Sequence, residues 1–238
     1  MSKPKIMAFI PARQNSKRLP RKNLRNLCGK PLIFWTIQAA INSSFDIKVH
    51  VSTDSEEIRK VSLACGAEAP FLRSSANSTD FSHPIDAFKE TVEFYKVKGE
   101  LFDYVILLQP TSPLRTTRDI DNALAYLLSC EPSDTVSVIS VSESAVPKHW
   151  MFELDHDGSA SQFVFSMKKH LSIRSQDSKR QFYVNGSIYA AKVSDVLSFN
   201  SFYIPEGRTE PLIIPRQRSI DIDNYDDLKL AEYFMTAP

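Results

Sequence analysis

The chain predicts an α/β fold in which a mostly parallel sheet is covered by helices on both faces. Short apolar runs, "KIMAFI", "IKVHVST" and "YVILLQ", recur through the first half. Between them lie longer segments whose apolar residues return at helical spacing. Strands and helices that alternate in this way bury the sheet on both sides and place ligands at the carboxyl ends of the strands. A chain of 238 residues, 42% of them hydrophobic, is long enough to bury such a core.

Taken in order, "KIMAFI" is a buried strand followed by a basic loop. Pro31 then stands at the first turn of a helix, "PLIFWTIQAAINS". "IKVHVST" is the next strand. It leads into "DSEEIRKVSLACG", a helix with acids in its first turn and Gly66 as its stop. "PIDAFKETVEFYKVKG" is a third helix, ahead of the strand "YVILLQ". The amphipathic "TTRDIDNALAYLLS" and the β-branched "TVSVISV" follow. Residues 142–182 break this rhythm, with aromatics, an Asp-Gly turn signal and no helical period. They read as a strand-rich insertion and dimerisation arm between the two parts of the main domain, 1–141 and 183–238. The pattern resumes with "NGSIYAAKVSDVLS", where Asn185-Gly186 is a turn dipeptide. A short strand "PLIIP", the extended "RSIDID" and a last helix "NYDDLKLAEYFM" complete the chain.

Composition excludes several classes. A net charge of +1 argues against a general nucleic-acid binder. No apolar run reaches the roughly 18 residues of a membrane span, and "MSKPKIMAFI" lacks a signal-peptide pattern. Three scattered cysteines suit reduced thiols in the cytoplasm, and the five histidines show no metal-ligand spacing.

Positive charge is instead concentrated locally. "IPARQNSKRLPRKNLRNLCGKP" carries Arg13, Lys17, Arg18, Arg21, Lys22, Arg25 and Lys30 and no carboxylate. It follows a strand, where such folds present their ligands. Neither GxGxxG nor GxxxxGK[ST] is present, so a polyphosphate would be held largely by side-chain cations. A solvated surface loop or a nucleic-acid patch are the other readings of the same residues. In "SIDID", alternation puts Asp221 and Asp223 on one side and Ile222 on the other. Two adjacent carboxylates suit Mg²⁺ shared with phosphate oxygens. The competing reading is that Asp223 or Asn224 caps the last helix. "LLQPTSPLR" is a proline-rigidified loop carrying Gln109, or simply a βα turn capped by Thr116 or Thr117. Lys148 and Arg174 are candidate contacts for an anionic substrate. Asn185 offers hydrogen bonds to a hydroxylated one, and Phe202 and Tyr203 offer apolar walls. Asp54 suits either a sugar contact or a helix cap.

The sequence resembles the acylneuraminate cytidylyltransferase (CMP-sialic acid synthetase) family over nearly its full length. "IPARQNSKRLPRKNLRNLCGKPLIFWTI", "VSTDSEEI", "GAEAPFLR", "LLQPTSPLR", "NGSIY" and "SIDID" carry the resemblance, in the family's order. It implies a Rossmann-like nucleotidyltransferase fold that moves CMP from CTP onto the anomeric hydroxyl of a nine-carbon 2-keto-3-deoxy sugar acid. An eight-carbon acid or a catalytically silent binding module are the alternatives. By position, Arg13, Ser16, Lys17 and Lys22 would neutralise the triphosphate, and Ala12, Asn23 and Arg73 would hold the nucleotide. Asp221 and Asp223 would hold Mg²⁺. Gln109, Asn185, Tyr189 and Phe202 would line the sugar-acid pocket, and Lys148 falls where a neighbouring subunit supplies a cation, which implies a homodimer. The chain departs from the family at "TDFSHP", where the nucleotide-contacting serine is displaced, and at "FYVNG", where Tyr183 replaces an arginine near the acceptor.

Overall fold

The computed structural model describes residues 3–79, 82–131, 133–148, 151, 179–204 and 206–236. Strands β1 (Ile6–Pro11), β4 (Ile47–Ser52), β5 (Tyr104–Leu108), β6 (Val136–Glu143), β7 (Phe182–Lys192) and β8 (Arg208–Ile213) form one sheet in the order β4-β1-β5-β7-β6-β8. β1 runs parallel to β4 and β5, and β6 runs parallel to β8. Only β7 is reversed, antiparallel to both β5 and β6. A two-residue turn joins the short strands β2 (Asn26–Leu27) and β3 (Lys30–Pro31), and both turn residues, Cys28 and Gly29, have positive φ. That is the requirement of a tight hairpin turn.

Alternation along the strands explains the burial on both faces. Ile6, Ala8 and Ile10 of β1 pack with α1 (Leu32–Ile41), α2 (Glu56–Ala64) and α4 (Thr117–Ser129). Met7 and Phe9, one residue out of phase, pack on the other face with α3 (Pro84–Val97) and α5 (Val193–Ser198). A third cluster gathers Leu19, Leu27, Leu32 and Ile222 under α6 (Tyr225–Thr236). It fixes the basic loop and the "SIDID" segment to each other.

Helix ends follow their sequence signals. Ser55 caps α2, accepting from the Ile58 amide, and Gly66 (φ +93) takes the left-handed position just beyond its end. At α4 the Thr116 hydroxyl accepts from the Asp119 amide while the Asp119 carboxylate accepts from Thr116 N. "PLIIP" does form an edge strand, which starts three residues earlier, at Arg208. Asn185-Gly186 is not a turn. It lies inside β7, where the β6 register shifts between Ile139 and Val141, so the positive φ of Gly186 serves a bulge. Of the proposed insertion 142–182, residues 149–150 and 152–178, Arg174 among them, lie outside the described residues.

His50 is a core histidine with both ring nitrogens engaged. It is fully buried, stacked on Phe9, with Tyr95 Oη and Thr91 Oγ1 at its two ring nitrogens. Burial, aided by the charges of Arg73 and Lys48, lowers its pKa to about 3. Below the ordinary imidazole value the unfolded chain therefore takes up a proton that the native state refuses. Stability should fall by about 1.4 kcal/mol for each pH unit below pH ~6.5, until near pH 3. Urea titrations at pH 6.5 and 5.5 measure this slope, and His50→Gln should flatten it.

Candidate active site

The basic loop is folded back on the sheet rather than left as a solvated arm. Ala12 N donates to Ser52 O, and Gln14 N donates to Asp54 Oδ1 at 2.7 Å. Asn23 Nδ2 donates to Arg13 O, and Leu19 is buried. Asp54 does not cap α2, whose cap is Ser55; its Oδ1 fastens the loop. A short 3-10 turn over Lys22–Leu24, entered through Arg21 in the left-handed region, directs the Lys22 side chain inward.

Lys22 Nζ donates to Ile222 O at 2.7 Å and to Asp223 Oδ1 at 3.0 Å. Arg18 reaches Asp223 Oδ2 at 2.8 Å. The basic loop and the paired aspartates therefore meet. Ile222, fully buried, anchors the segment from below, and its amide donates to Thr111 O at 2.8 Å. The last helix is capped by Asn224, whose Oδ1 accepts from the amides of Asp226 and Asp227. Capping leaves both Asp221 and Asp223 available. The Asp221 carboxyl is held above the ordinary carboxylate range. Partial desolvation is the main cause and the Asp223 charge adds to it, while a Thr111 hydrogen bond and Lys22 oppose it.

Two clefts meet at Gln109. One, of about 300 Å³, is lined by Arg13, Ser16, Lys22, Asn23, Arg73 and Ser82. The other, of about 460 Å³, is lined by Gln109, Tyr183, Asn185, Tyr189, Asp221 and Asp227. Past Tyr183, Ser219 and Leu230 it continues into an open groove of about 840 Å³ bearing Glu143, Arg180 and Arg216. Arg73 is nearly buried and donates to Ser52 Oγ and Ser52 O. Burial pulls its pKa down, partly offset by Asp54 and Glu90.

Most of the expected site residues come together in these clefts. Ala12 is fully buried behind the first cleft with its amide engaged, which leaves only its carbonyl to meet a ligand. Lys17 is exposed on the same loop. The Asn185 carboxamide is committed to neighbours: Oδ1 accepts from Ser140 Oγ and Ser187 N, and Nδ2 donates to Ser142 Oγ. Phe202 packs in the core against Phe88 and Phe9, at 5.2 and 6.3 Å between ring centroids, so it backs the wall from behind. Lys148 is exposed at the root of the 142–182 segment, its amide donating to Gln181 Oε1. The "TDFSHP" departure does not remove serine from the first cleft: Ser82 lines it, its hydroxyl held by Thr79 and Ala76. Sequence reasoning assigned no role to Arg18, Thr111 or Ser82. Arg18 was visible only as one cation among seven, and the other two needed the loops to be folded.

A cation-lined cleft at the strands' carboxyl ends, joined to a second cleft that bears Asp221, defines a nucleotidyltransferase-type site on an α/β fold. The cytidylyltransferase family model matches residues 7–203, and the chain belongs to that family. It is 38% identical over 97% of its length to the CMP-N,N'-diacetyllegionaminic acid synthase of Legionella pneumophila, covering 96% of that protein. It is 30% identical over 96% of its length to a pseudaminic acid cytidylyltransferase of Campylobacter jejuni, covering 95% of it. An N-acylneuraminate cytidylyltransferase of Streptococcus agalactiae is 36% identical over 94% of this chain, which spans 51% of that longer protein. Among solved structures, a CMP:2-keto-3-deoxy-manno-octonic acid synthetase complexed with CTP superposes with a TM-score of 0.70. It shares 20% identity over 97% of this chain and 98% of its own.

Cytidylyltransferases of this kind generally use a divalent metal. Among the described residues no group of three or more His, Cys, Asp or Glu side chains is placed to hold one. The pair Asp221 and Asp223 nevertheless fits a cation that phosphate oxygens complete. The two carboxylates repel, and among the described residues their close positive neighbours, Arg18 and Lys22, come from a loop suited to a polyphosphate.

Proposed function

We propose that this enzyme transfers CMP from CTP to the anomeric hydroxyl of a nine-carbon 2-keto-3-deoxy sugar acid, of the legionaminic or sialic acid kind, releasing pyrophosphate. The observation that carries this is the junction at Gln109 of a cation-lined cleft and an acid-bearing one. The resemblance to the Legionella protein supports a nonulosonic acceptor. The eight-carbon alternative has the support of fold likeness alone.

In this reading the triphosphate lies in the first cleft. Arg13, Lys22 and Arg73 offset its charge and, already fixed by the fold, stabilise the negative charge that builds as pyrophosphate departs. Arg18 and Lys22 balance Asp223 until a more anionic partner draws them away. Asp221 and Asp223 would hold Mg²⁺, which when bound supplies electrophilic assistance at the α-phosphate and acidifies a nearby hydroxyl. Asp221, which lines the second cleft, is placed to assist removal of the anomeric proton. Gln109 and Tyr189 face the sugar acid, with Asn185, held by Ser140, Ser142 and Ser187, forming part of the wall. Holding both substrates at one junction makes the encounter effectively unimolecular.

A homodimer joined through 142–182 would bring Lys148 to a neighbour's acceptor. The exposed apolar side chains of Val146, Phe182, Tyr183 and Val184 at the segment's root support this. The free thiols Cys28, Cys65 and Cys130 support a cytoplasmic location. Pyrophosphate release, measured with each of the four nucleoside triphosphates and a panel of eight- and nine-carbon sugar acids, tests the proposal. CTP with a nonulosonic acid should give the highest kcat/KM. Preference for the eight-carbon acid, or turnover with none, would overturn it.

A further inference from the structure

β5 and β7 are antiparallel, and their pairing stops where Leu108 faces Ile188. One step further Gln109 and Ser187 would pair, but both carbonyls accept from one guanidinium instead. Arg115 Nη2 donates to Gln109 O at 2.6 Å and Nε donates to Ser187 O at 2.9 Å, while Nη1 donates to Thr36 Oγ1 of α1 at 3.2 Å. A planar fork thus ends the ladder. It does so in the interior, since Arg115 is only 3% exposed. Burial lowers its pKa to about 9, opposed by the charge of Asp119. A cation desolvated this far persists only where its hydrogen bonds are made in good geometry.

Gln109 lines the second cleft, and Ser187, fully buried, directly follows Gly186, which lines it too. The Gln109 side chain lies over Gly186, where an added Cβ would stand 3.5 Å from Gln109 Oε1. Asn185 and Tyr189 continue the same wall. The first cleft is fastened by other contacts, Arg73 to Ser52 and Asn23 to Arg13.

We propose that Arg115 is a positioning residue for the acceptor: by forking the carbonyls of Gln109 and Ser187 it sets the gap between β5 and β7 and so aims Gln109 across the sugar-acid cleft. The proposal rests on the function given above. Charge alone does not suffice, because an ammonium cannot span two carbonyls at the fixed spacing of a guanidinium. Arg115→Lys and Arg115→Met test this by steady-state kinetics with each substrate varied in turn. The lysine variant should raise KM for the sugar acid by about tenfold or more and leave KM for CTP within about threefold. The methionine variant should do worse on the same side. Gln109→Ala, which removes the aimed side chain but keeps the carbonyl that Arg115 holds, should show the same split. A purely structural role predicts a lower Tm with both KM values at the wild-type level, and that result would overturn the proposal. So would an equal rise in both KM values. If neither Arg115 variant folds, a wild-type sugar-acid KM in Gln109→Ala overturns it. A wild-type chain inert toward CTP and every sugar acid overturns the proposed function instead.

Discussion

Asp221→Ala and Asp223→Ala are each expected to lower kcat by about a thousandfold, at saturating Mg²⁺, with the fold retained. The size follows from what the pair does: removing one preorganised electrostatic partner of a developing charge typically costs about 10²–10³ in rate. Retention of the fold follows from the anchoring of the segment. Ile222 is buried and its amide is bonded to Thr111 O, and neither contact involves the carboxylates. The Asp221 carboxyl is disfavoured as an anion by desolvation and by Asp223. Asp221→Asn should therefore cost no thermal stability in metal-free buffer while still abolishing turnover. Asn224→Ala is the control. It removes the cap of α6 and should lower stability by about 1 kcal/mol with kcat unchanged. Near-wild-type kcat in both aspartate variants would remove the metal-ligand assignment.

The layout of the sheet was legible because strands buried on both faces read as unbroken apolar runs, separated by segments of helical spacing. Ile6, Ala8 and Ile10 alternate with Met7 and Phe9, and the structure sends the two sets to different helices. The aspartate pair was legible from the alternation of faces along an extended segment, with Ile222 as the odd residue that dives into the core. Sequence did not decide between capping and ligation, because Asn224 and Asp223 are adjacent and both are good caps; the hydrogen bonds assign that task to Asn224. Asn185-Gly186 was misread because the dipeptide reports positive φ, which a hairpin turn and a strand bulge both need. Phe202 and Asp54 illustrate another limit. An aromatic or an acid near a site in sequence is equally suited to the wall, the core behind it or the loop that frames it, and only packing separates these. Arg115 was quoted inside "LLQPTSPLR" without a role. Its meaning depends on β7 lying beside β5, and that pairing joins residues about 80 apart in sequence.

Asp119→Ala is expected to be among the most destabilising single changes in the chain, at about 3–5 kcal/mol. Asp119 is 5% exposed and does three things at once. It accepts from Thr116 N and Thr116 Oγ1, at 2.8 and 2.7 Å, closing the first turn of α4. It forms a two-point ion pair with Arg218. It is also the acid whose charge sustains the buried guanidinium of Arg115. Alanine leaves two cations, one of them fully enclosed, without their counter-charge, and at roughly 2–4 °C per kcal/mol a calorimetric melt should drop by about 10 °C. Burial alone would raise the Asp119 pKa, but Arg218 and Thr116 outweigh it and hold the carboxyl below its ordinary value. A depressed carboxyl contributes stability above its unfolded pKa and loses it as pH falls through the folded one. The gap between wild type and Asp119→Asn should therefore be widest near neutrality and close below pH ~4. Arg218 lies three residues before Asp221, so slackening the ion pair also frees the approach to Asp221 and Asp223. The asparagine variant, which keeps the cap, should accordingly lose kcat more than its melting temperature suggests. A melt of Asp119→Ala within about 2 °C of wild type would show that Arg115 finds its compensation elsewhere.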